Sequence, residues 1–402
     1  MATELYRKVR SAQLAAFKRR MPEGKRGVEF ECGGRTYVAA IRRLTPLECM
    51  RLQTVPESYE FVTSDTQTYK GLGNGWSIET VKHIFGYIPE ERRKRGLKVL
   101  SLFDGISGGQ MALRGIGAKV DLYLASEIDR HAIANTQHNY PDTVQLGSVT
   151  ELDVDEIVEK YGVPDLLIGG SPCQSFSFSG KMKGMSTKGG EEVYTLGRYM
   201  ELKSEGFEFE GQSYLFWEYM RVLTELRRHN PDIMFFLENV KMQERWERCL
   251  SHAIGVRGVH INSALVSAQQ RNRIYWTNIR TRTVAGDGLF HDAGDPFAWP
   301  PLVSDIPQPD DRGITIGDIL EEGADERYYL KDETVARLME RTDKAKLQSH
   351  LAEPQVSVGE ALAYMDGHSE YYGLTEEEKR SVAVTGYEME KRRLHGKGVS
   401  DG

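Results

Sequence analysis

The stretch KVLSLFDGISGG, residues 98–109, decides the fold, because an apolar run of strand length passes through glycines directly into a helical pattern. Three later runs also have the character of buried strands: VDLYLASEI (120–128), DLLIGGS (165–171) and IMFFLENV (233–240). Helical patterns lie between them: GGQMALRGIG (108–117), RHAIANTQHNY (130–140) and SYLFWEYMRVLTELRRH (213–229). Strands that alternate with helices predict an α/β fold, with a parallel sheet covered by helices on both faces. Ligands of such sheets bind beyond the carboxyl ends of the strands.

The composition is that of an ordinary globular protein. The 402 residues correspond to two or three domains at about 150 residues each, with 40% hydrophobic and 28% charged residues. No apolar stretch approaches the roughly 20 residues of a membrane-spanning helix, so we expect a cytoplasmic protein without a membrane partner. The four cysteines lack metal-ligand spacing, which predicts no bound metal. A formal net charge of −7 does not by itself indicate a nucleic-acid partner.

The chain changes character in two places. Residues 181–211 are polar and glycine-rich and too long for an ordinary connection, which predicts an active-site lid or an insertion; the alternative is a disordered surface loop. Past about residue 285 the alternation weakens and proline becomes frequent, so we place a domain boundary there.

The turn after the first strand suits a ligand that contains a nucleoside. Phe103–Gly109 follows a strand and opens a helix, so its glycines allow a ligand to approach the backbone and the free N–H groups of the helix. The segment lacks the G-x-G-x-x-G spacing that binds a pyrophosphate. The next strand ends in Glu127, where a carboxylate can accept hydrogen bonds from ribose hydroxyls. These features predict a nucleoside-containing cofactor without a pyrophosphate.

Candidate catalytic side chains follow the later strands. Cys173 lies just beyond the strand DLLIGG in a turn shaped by glycine and proline, where a cysteine can act as a nucleophile; the alternative is a small core residue. Glu238 ends the strand IMFFLENV, and a carboxyl group that burial keeps partly protonated can donate to a ring nitrogen there. Gln269, Arg271 and Arg273 alternate, so on a strand they share one face and could bind carbonyl or phosphate oxygens. The alternative for these three is a solvated strand face.

Together, and in this order, these features closely resemble the DNA cytosine-5 methyltransferases. That family has an S-adenosylmethionine loop, a Pro-Cys turn, a Glu-Asn-Val strand and a Gln-x-Arg-x-Arg strand. The segment RLTPLECMRLQ, residues 43–53, resembles the family's ninth motif, and GLGNGWS, residues 71–77, resembles its tenth. Both motifs usually come last, so their position before the cofactor loop makes the chain resemble a circular permutant. The resemblance covers roughly residues 40–285.

The resemblance implies a Rossmann-like S-adenosylmethionine-dependent methyltransferase fold with a smaller target-recognition domain. Residues 1–90 would carry motifs that complete the catalytic domain, residues 91–285 the cofactor-binding core with a lid near 174–212, and residues 286–402 the target-recognition region.

The resemblance also implies a catalytic role for each matching residue. Cys173 would attack C6 of a flipped cytosine, which makes C5 a nucleophile for the methyl group. Glu238 would hold and protonate N3 of the base. Arg273 would contact the cytosine O2, with Arg271 as its structural partner and Gln269 as the first polar position of that motif.

For the cofactor, S-adenosyl-L-methionine, the resemblance implies contacts from four parts of the chain. These residues are Phe103, Asp104, Gly105, Ile106, Ser107 and Gly108 of the loop; Glu127 and Ile128 at the ribose; Ser148, Val149, Pro172 and Leu215 near the adenine; and Asn74, Gly75 and Trp76 at the amino-acid end. Ser148 stands where the family usually has an acid, so either the cofactor would bind more weakly or the contact with the adenine amino group would come from Asp153 or water. Gln174 and Ser177 would contact the DNA substrate.

The implied function is site-specific methylation of C5 of cytosine in double-stranded DNA, through a covalent bond between Cys173 and C6. The protein would be a monomer of bacterial or phage origin, associated with the nucleoid, and a candidate partner is a restriction endonuclease of the same specificity in a restriction-modification pair. An RNA cytosine-5 methyltransferase and a catalytically silent DNA-binding homologue are the alternatives. A nicotinamide-dependent oxidoreductase is disfavoured because the pyrophosphate fingerprint is absent.

Overall fold

The computed structural model describes residues 28–32, 35–39, 42–172, 185–209, 211–284, 297, 299–321, 323–331 and 334. Contacts divide the described residues into two compact units. The first contains those up to Leu52, Ser267–Gln269 and those from Arg312 onward, and the second contains Gln53–Val266 and Gln270–Asp311. The predicted domain boundaries near residues 90 and 285 stay predictions.

The first unit contains a strand pair and a short helix. β1 (Val28–Cys32) pairs with β2 (Arg35–Ala39) in antiparallel register, and helix α1 (Pro46–Leu52) follows. Arg42 and Glu48 form a doubly hydrogen-bonded ion pair, with both N–O distances 2.6 Å. Because both side chains are buried, breaking this pair would leave an uncompensated charge in the interior.

The second unit is built on a seven-stranded sheet with the order β5-β4-β3-β6-β7-β9-β8. Its strands are β3 (Leu97–Leu102), β4 (Val120–Ser126), β5 (Val144–Gln145), β6 (Leu166–Gly170), β7 (Met234–Val240), β8 (Val259–Asn262) and β9 (Asn272–Thr277). The first five strands in the sheet order are mutually parallel, whereas β9 runs antiparallel to β7 and β8 antiparallel to β9. The order reverses between β3 and β6, the kind of switch point at which ligands bind.

Helices cover both faces of this sheet, as the sequence predicts. They are α2 (Asp65–Asn74), α3 (Ile78–Phe85), α4 (Glu90–Arg95), α5 (Gly108–Gly115), α6 (Arg130–Asn139), α7 (Val154–Tyr161), α8 (Leu196–Ser204), α9 (Leu215–His229) and α10 (Glu244–Ile254). Neighbouring residues of β7 point to opposite faces. Phe235 lies under Arg227 of α9, with 5.5 Å from the guanidinium carbon to the ring centre, and Phe236 contacts Phe85 of α3, with 5.1 Å between ring centres. A further antiparallel pair, β10 (Thr281–Thr283) and β11 (Leu302–Ser304), lies outside the sheet.

In its described part, the stretch predicted to be a lid or an insertion contains a helix and packs into the core, and its role stays a prediction. Residues 185–209 contain α8, and Met185, Val193, Tyr199 and Leu202 are buried in the core against α9. These apolar side chains are few and irregularly spaced among polar residues, so the sequence does not predict helix α8. Residues 173–184, where the rest of the predicted lid falls, lie outside the described residues. In the part of the chain that the structure describes, no helix is long and apolar enough to cross a membrane.

Candidate active site

A cavity of about 820 Å³, the site cavity below, opens at the carboxyl ends of β3, β4, β6 and β7. Its size is that of a typical small-molecule pocket. Antiparallel β9 begins at this same edge of the sheet. Most residues that the sequence predicts for the site line this cavity: Asn74, Gly75, Trp76, Phe103, Asp104, Gly105, Ile106, Gly108, Glu127, Ile128, Ser148, Val149, Pro172, Leu215, Glu238, Arg271 and Arg273.

Five predicted residues are not placed at the cavity. Cys173, Gln174 and Ser177 lie outside the described residues. Ser107 is fully buried, and its hydroxyl accepts a hydrogen bond of 3.0 Å from the Gln110 side chain, so it is part of the packing under the loop. Gln269 lies in a bend of the other compact unit.

The expectation that Gln269, Arg271 and Arg273 share a strand face is wrong, because β9 begins only at Asn272. The Arg271 backbone N–H donates to the Asn262 side chain at 3.0 Å, outside the ladder between the strands. Its guanidinium reaches the Gly75 carbonyl at 2.8 Å. Arg271 therefore fastens the Asn74–Trp76 segment to the start of β9.

The loop after β3 has an unusual backbone. Phe103, Gly105 and Ser107 have φ angles of 56°, 58° and 64°. The left-handed region is easy for glycine but costs a residue with a side chain about 1 kcal/mol or more. Such strain persists only where the surroundings enforce it, and it is concentrated at functional sites.

Glu127 ties this loop to the end of β4. Its carboxylate accepts hydrogen bonds from the backbone N–H groups of Gly105 at 2.8 Å, Ile128 at 2.7 Å and Asp129 at 2.8 Å. Three amide donors orient the carboxylate at the cavity wall. Glu127 lines the site cavity, and its predicted contact with a ribose stays a prediction.

Asp104 is a buried carboxylate in the wall of the site cavity. Tyr123 donates its hydroxyl to Oδ1 at 2.8 Å, while Oδ2 has no hydrogen-bond partner among the described residues. Burial, with a smaller contribution from the negative charge of Glu127, raises the pKa of Asp104 to about 6.

The raised pKa predicts how stability depends on pH. The folded protein binds the Asp104 proton more tightly than the unfolded chain, whose pKa is near 3.8, so the free energy of unfolding falls as pH rises from about 4 to 6. We expect Asp104→Asn to remove this loss and to stabilise the protein at pH 7.5 by on the order of 3 kcal/mol. Thermal unfolding at pH 4 and pH 7.5 measures the effect. The exposed Asp121→Asn is the control, and equal shifts in both variants would contradict the assignment.

Glu238 and Arg273 form the charged pair of the site cavity. β7 and β9 are in register with Val240 opposite Arg273, so Glu238, two residues earlier, is a diagonal neighbour on the same face. Glu238 Oε1 lies 2.8 Å from Arg273 Nε. Both side chains are largely buried, which fixes the carboxylate at the cavity wall.

Asn239, the middle residue of the Glu-Asn-Val motif, holds the turn that leads to Cys173. Its side-chain N–H donates to the hydroxyl of Ser171 at 3.0 Å and to the Ser171 carbonyl at 3.3 Å, and both residues are buried. No role is predicted for Asn239 from the sequence, although its position next to Glu238 in the Glu-Asn-Val motif is a signal that could have identified it.

The contact proposed for Asp153 does not fit its position. Asp153 caps α7 by accepting a hydrogen bond of 3.0 Å from the Glu156 N–H, and it does not line the site cavity. Ser148 does line the cavity, and its hydroxyl accepts a hydrogen bond of 3.3 Å from the Thr150 N–H.

Gly170 leaves room for Trp76 and Glu238. A Cβ atom at Gly170 would lie 2.8 Å from Trp76 Nε1 and 3.2 Å from Glu238 Oε2. We therefore expect Gly170→Ala to displace one of these side chains, to lower stability by about 1–3 kcal/mol and to lower the site's activity about tenfold or more. Gly197→Ala in α8, where a Cβ meets nothing within 4 Å, is the matched control in thermal unfolding and activity assays. Parental behaviour of Gly170→Ala would show that this close packing does not matter.

The sequence of the chain is similar to a known protein family and to individual members of it. A family model described as C-5 cytosine-specific DNA methylase matches residues 2–90 and 97–254. Orphan methyltransferase M.Rho11sI of Bacillus phage rho11s is 28% identical over 295 residues, 65% of this chain and 51% of that protein. DNA (cytosine-5)-methyltransferase DRM2 of Arabidopsis thaliana is 32% identical over 174 residues, 41% of this chain and 24% of that protein. The match thus spans about half or less of these two relatives.

Among solved structures, a mutant of Spodoptera frugiperda DNMT2 aligns with 62% of this chain and 66% of its own. The TM-score is 0.38 and the sequence identity 19%. A similarity of this size adds nothing to the family match.

Proposed function

Because the chain belongs to the C-5 cytosine-specific DNA methylase family, we propose that it transfers a methyl group from S-adenosyl-L-methionine to C5 of cytosine at a specific site in double-stranded DNA. One observation carries the proposal. The Glu238–Arg273 pair and the Ser171–Pro172 turn that precedes Cys173 share one cavity with the loop after β3 and with Glu127.

The residues present fit the cofactor. Glu127, whose carboxylate is held at the cavity wall by three backbone N–H groups, would accept hydrogen bonds from ribose hydroxyls. Ser148 and Val149 would hold the nucleobase end, and Asn74–Trp76 the amino-acid end. The bound cofactor supplies an electrophilic methyl group on a sulfonium.

The chain's own side chains would perform the remaining chemistry. The Cys173 thiolate attacks C6 of cytosine and forms a carbon–sulfur bond, while Glu238 holds N3 and supplies its proton. Electron density then reaches C5, which takes the methyl group. Loss of the C5 proton to a base, elimination of the Cys173 thiolate and return of the N3 proton to the Glu238 carboxylate then restore the aromatic ring and release the methylated base.

The depth of the site requires the base to leave the duplex. Only 9% of the Glu238 surface is exposed, so a cytosine stacked inside DNA cannot reach it. An extruded base costs a few kcal/mol of unstacking, which contacts with phosphates and bases must offset. The proposed contacts of Gln174 and Ser177 with the substrate belong to this step.

Three features of the proposal come from the resemblance: the circular permutation, a restriction endonuclease partner and a monomeric state. The circular permutation is supported by the placement of Asn74–Trp76, which precede β3 in the chain yet line the same cavity as the loop after it. A restriction endonuclease partner and a monomeric state stay predictions.

The test is methylation of genomic DNA by the purified protein with S-adenosyl-L-methionine, read by base-resolution sequencing. We expect 5-methylcytosine at one short motif. Transfer RNA is assayed in parallel, and methylation of RNA with unmodified DNA would replace this proposal with the RNA alternative. No methylation of either would favour a silent homologue.

A further inference from the structure

Four charged side chains, called the charge cluster here, lie behind one wall of the site cavity: Lys203 of α8 and Glu218, Arg221 and Glu225 of α9. Glu218 is fully buried, and its carboxylate accepts hydrogen bonds from Lys203 Nζ at 2.5 Å and from Arg221 Nε at 2.8 Å. The Tyr199 hydroxyl donates to it at 2.5 Å. Burial alone would raise the pKa of Glu218, but these donors lower it below its usual value, so the carboxylate stays charged.

The two cations of the cluster, Lys203 and Arg221, also donate hydrogen bonds to backbone carbonyl groups of residues 149–152. Arg221 donates to the Val149 carbonyl at 2.9 Å and to the Leu152 carbonyl at 3.0 Å. Lys203 donates to the Thr150 carbonyl at 3.3 Å. Ser148, Val149 and Thr150, called the 148–150 wall, line the site cavity. The backbone of this wall is therefore fixed by charges of α8 and α9 that do not themselves line the cavity.

Stability alone is a poor reason for such a cluster. Buried ion pairs lose much of their attraction to desolvation, and apolar side chains of similar size often stabilise a core as well or better. Charged donors do provide short, directional hydrogen bonds, which set the position of a backbone segment closely. The three carbonyl contacts therefore indicate a positioning role.

We propose that Lys203 and Arg221 are positioning residues for the nucleobase end of the cofactor, an inference that rests on the proposed function. They hold the 148–150 wall in the place where the nucleobase binds. Because Lys203 belongs to the packed segment 185–209, cofactor affinity depends on that segment. Ser148 offers a neutral hydroxyl, which binds a ligand donor less strongly than a carboxylate would. Binding of the nucleobase therefore depends more on the position of the 148–150 wall than it would with a carboxylate at residue 148.

The experiment compares three variants of the full chain. Lys203→Met removes the cation and keeps a long side chain, and Lys203→Arg restores the cation. Arg198→Met is the matched control, because Arg198 lies on the same helix and pairs with Glu191 and Glu201 at the surface. Lys203 is about one-third exposed, so its substitution leaves the apolar core intact. Calorimetry measures the Kd for S-adenosylhomocysteine, and steady-state kinetics measure the KM for S-adenosyl-L-methionine, the KM for DNA and kcat.

We expect Lys203→Met to raise the Kd for S-adenosylhomocysteine and the KM for S-adenosyl-L-methionine about tenfold. The KM for DNA and kcat should stay within about twofold of the parent, and Lys203→Arg and Arg198→Met should bind like the parent.

Parental affinity in Lys203→Met would overturn the inference, and so would a loss confined to kcat or to thermal stability. If the parent itself binds no S-adenosylhomocysteine, the proposed function fails and this inference falls with it. The two failures are therefore distinguishable.

Discussion

Replacing Cys173 by alanine is expected to abolish methyl transfer, with a loss of about 10³-fold or more in kcat. Without the thiolate, no covalent bond forms at C6, and C5 of cytosine is too poor a nucleophile to take the methyl group. Binding of S-adenosylhomocysteine should be close to parental, because none of the cofactor contacts proposed above involves the Cys173 side chain. Transfer of radiolabelled methyl groups to DNA measures the loss.

Cys49→Ala is the control for this substitution. Burial raises the pKa of Cys49 to about 11, so its thiol stays protonated at neutral pH and cannot serve as the nucleophile. We expect this variant to retain the activity of the parent. Substantial activity in Cys173→Ala would remove the covalent mechanism.

Glu238→Gln is expected to lower kcat by about 10²–10³-fold. The amide oxygen can still accept from Arg273, and the amide N–H can still approach N3, but it cannot transfer a proton to it. The pair geometry at 2.8 Å should thus survive while the chemical step slows. Single-turnover methylation separates this step from product release.

The matched control for Glu238→Gln is Glu247→Gln. Glu247 is also a buried carboxylate, paired with His260 at 2.7 Å, but it lies on α10 and does not line the site cavity. Its loss should leave kcat within about twofold of the parent. Equal kinetics of the two variants would show that Glu238 has no special part in the reaction.

Much of the fold could be predicted from four apolar runs. β3, β4, β6 and β7 are buried parallel strands, and such strands appear in a sequence as continuous apolar stretches between helical patterns. Parallel strands bring their carboxyl ends to one edge, so the shared position of Phe103, Glu127 and Glu238 followed from the sequence.

Other parts of the site could not be predicted because they depend on tertiary contacts. The alternation of Gln269, Arg271 and Arg273 is that of a strand, yet β9 begins only at Asn272. Arg271 instead donates hydrogen bonds to the Asn262 side chain and to the Gly75 carbonyl. Residues 185–209 have the composition of a polar loop, because their packing uses only a few apolar side chains and the charge of Lys203. Ion pairs that span distant segments leave no periodic signal in a sequence.

Trapping the covalent intermediate is the most direct test of the proposed bond between Cys173 and C6 of cytosine. The protein is incubated with S-adenosyl-L-methionine and duplex DNA whose cytosines are replaced by 5-fluorocytosine, and denaturing electrophoresis then detects any bound DNA. Fluorine at C5 cannot leave as a proton does, so elimination of the Cys173 thiolate should stall. We expect a complex of protein and DNA that resists denaturation, requires the cofactor and is absent with Cys173→Ala. No complex with a parent protein that methylates ordinary DNA, or the same complex with Cys173→Ala, would contradict it.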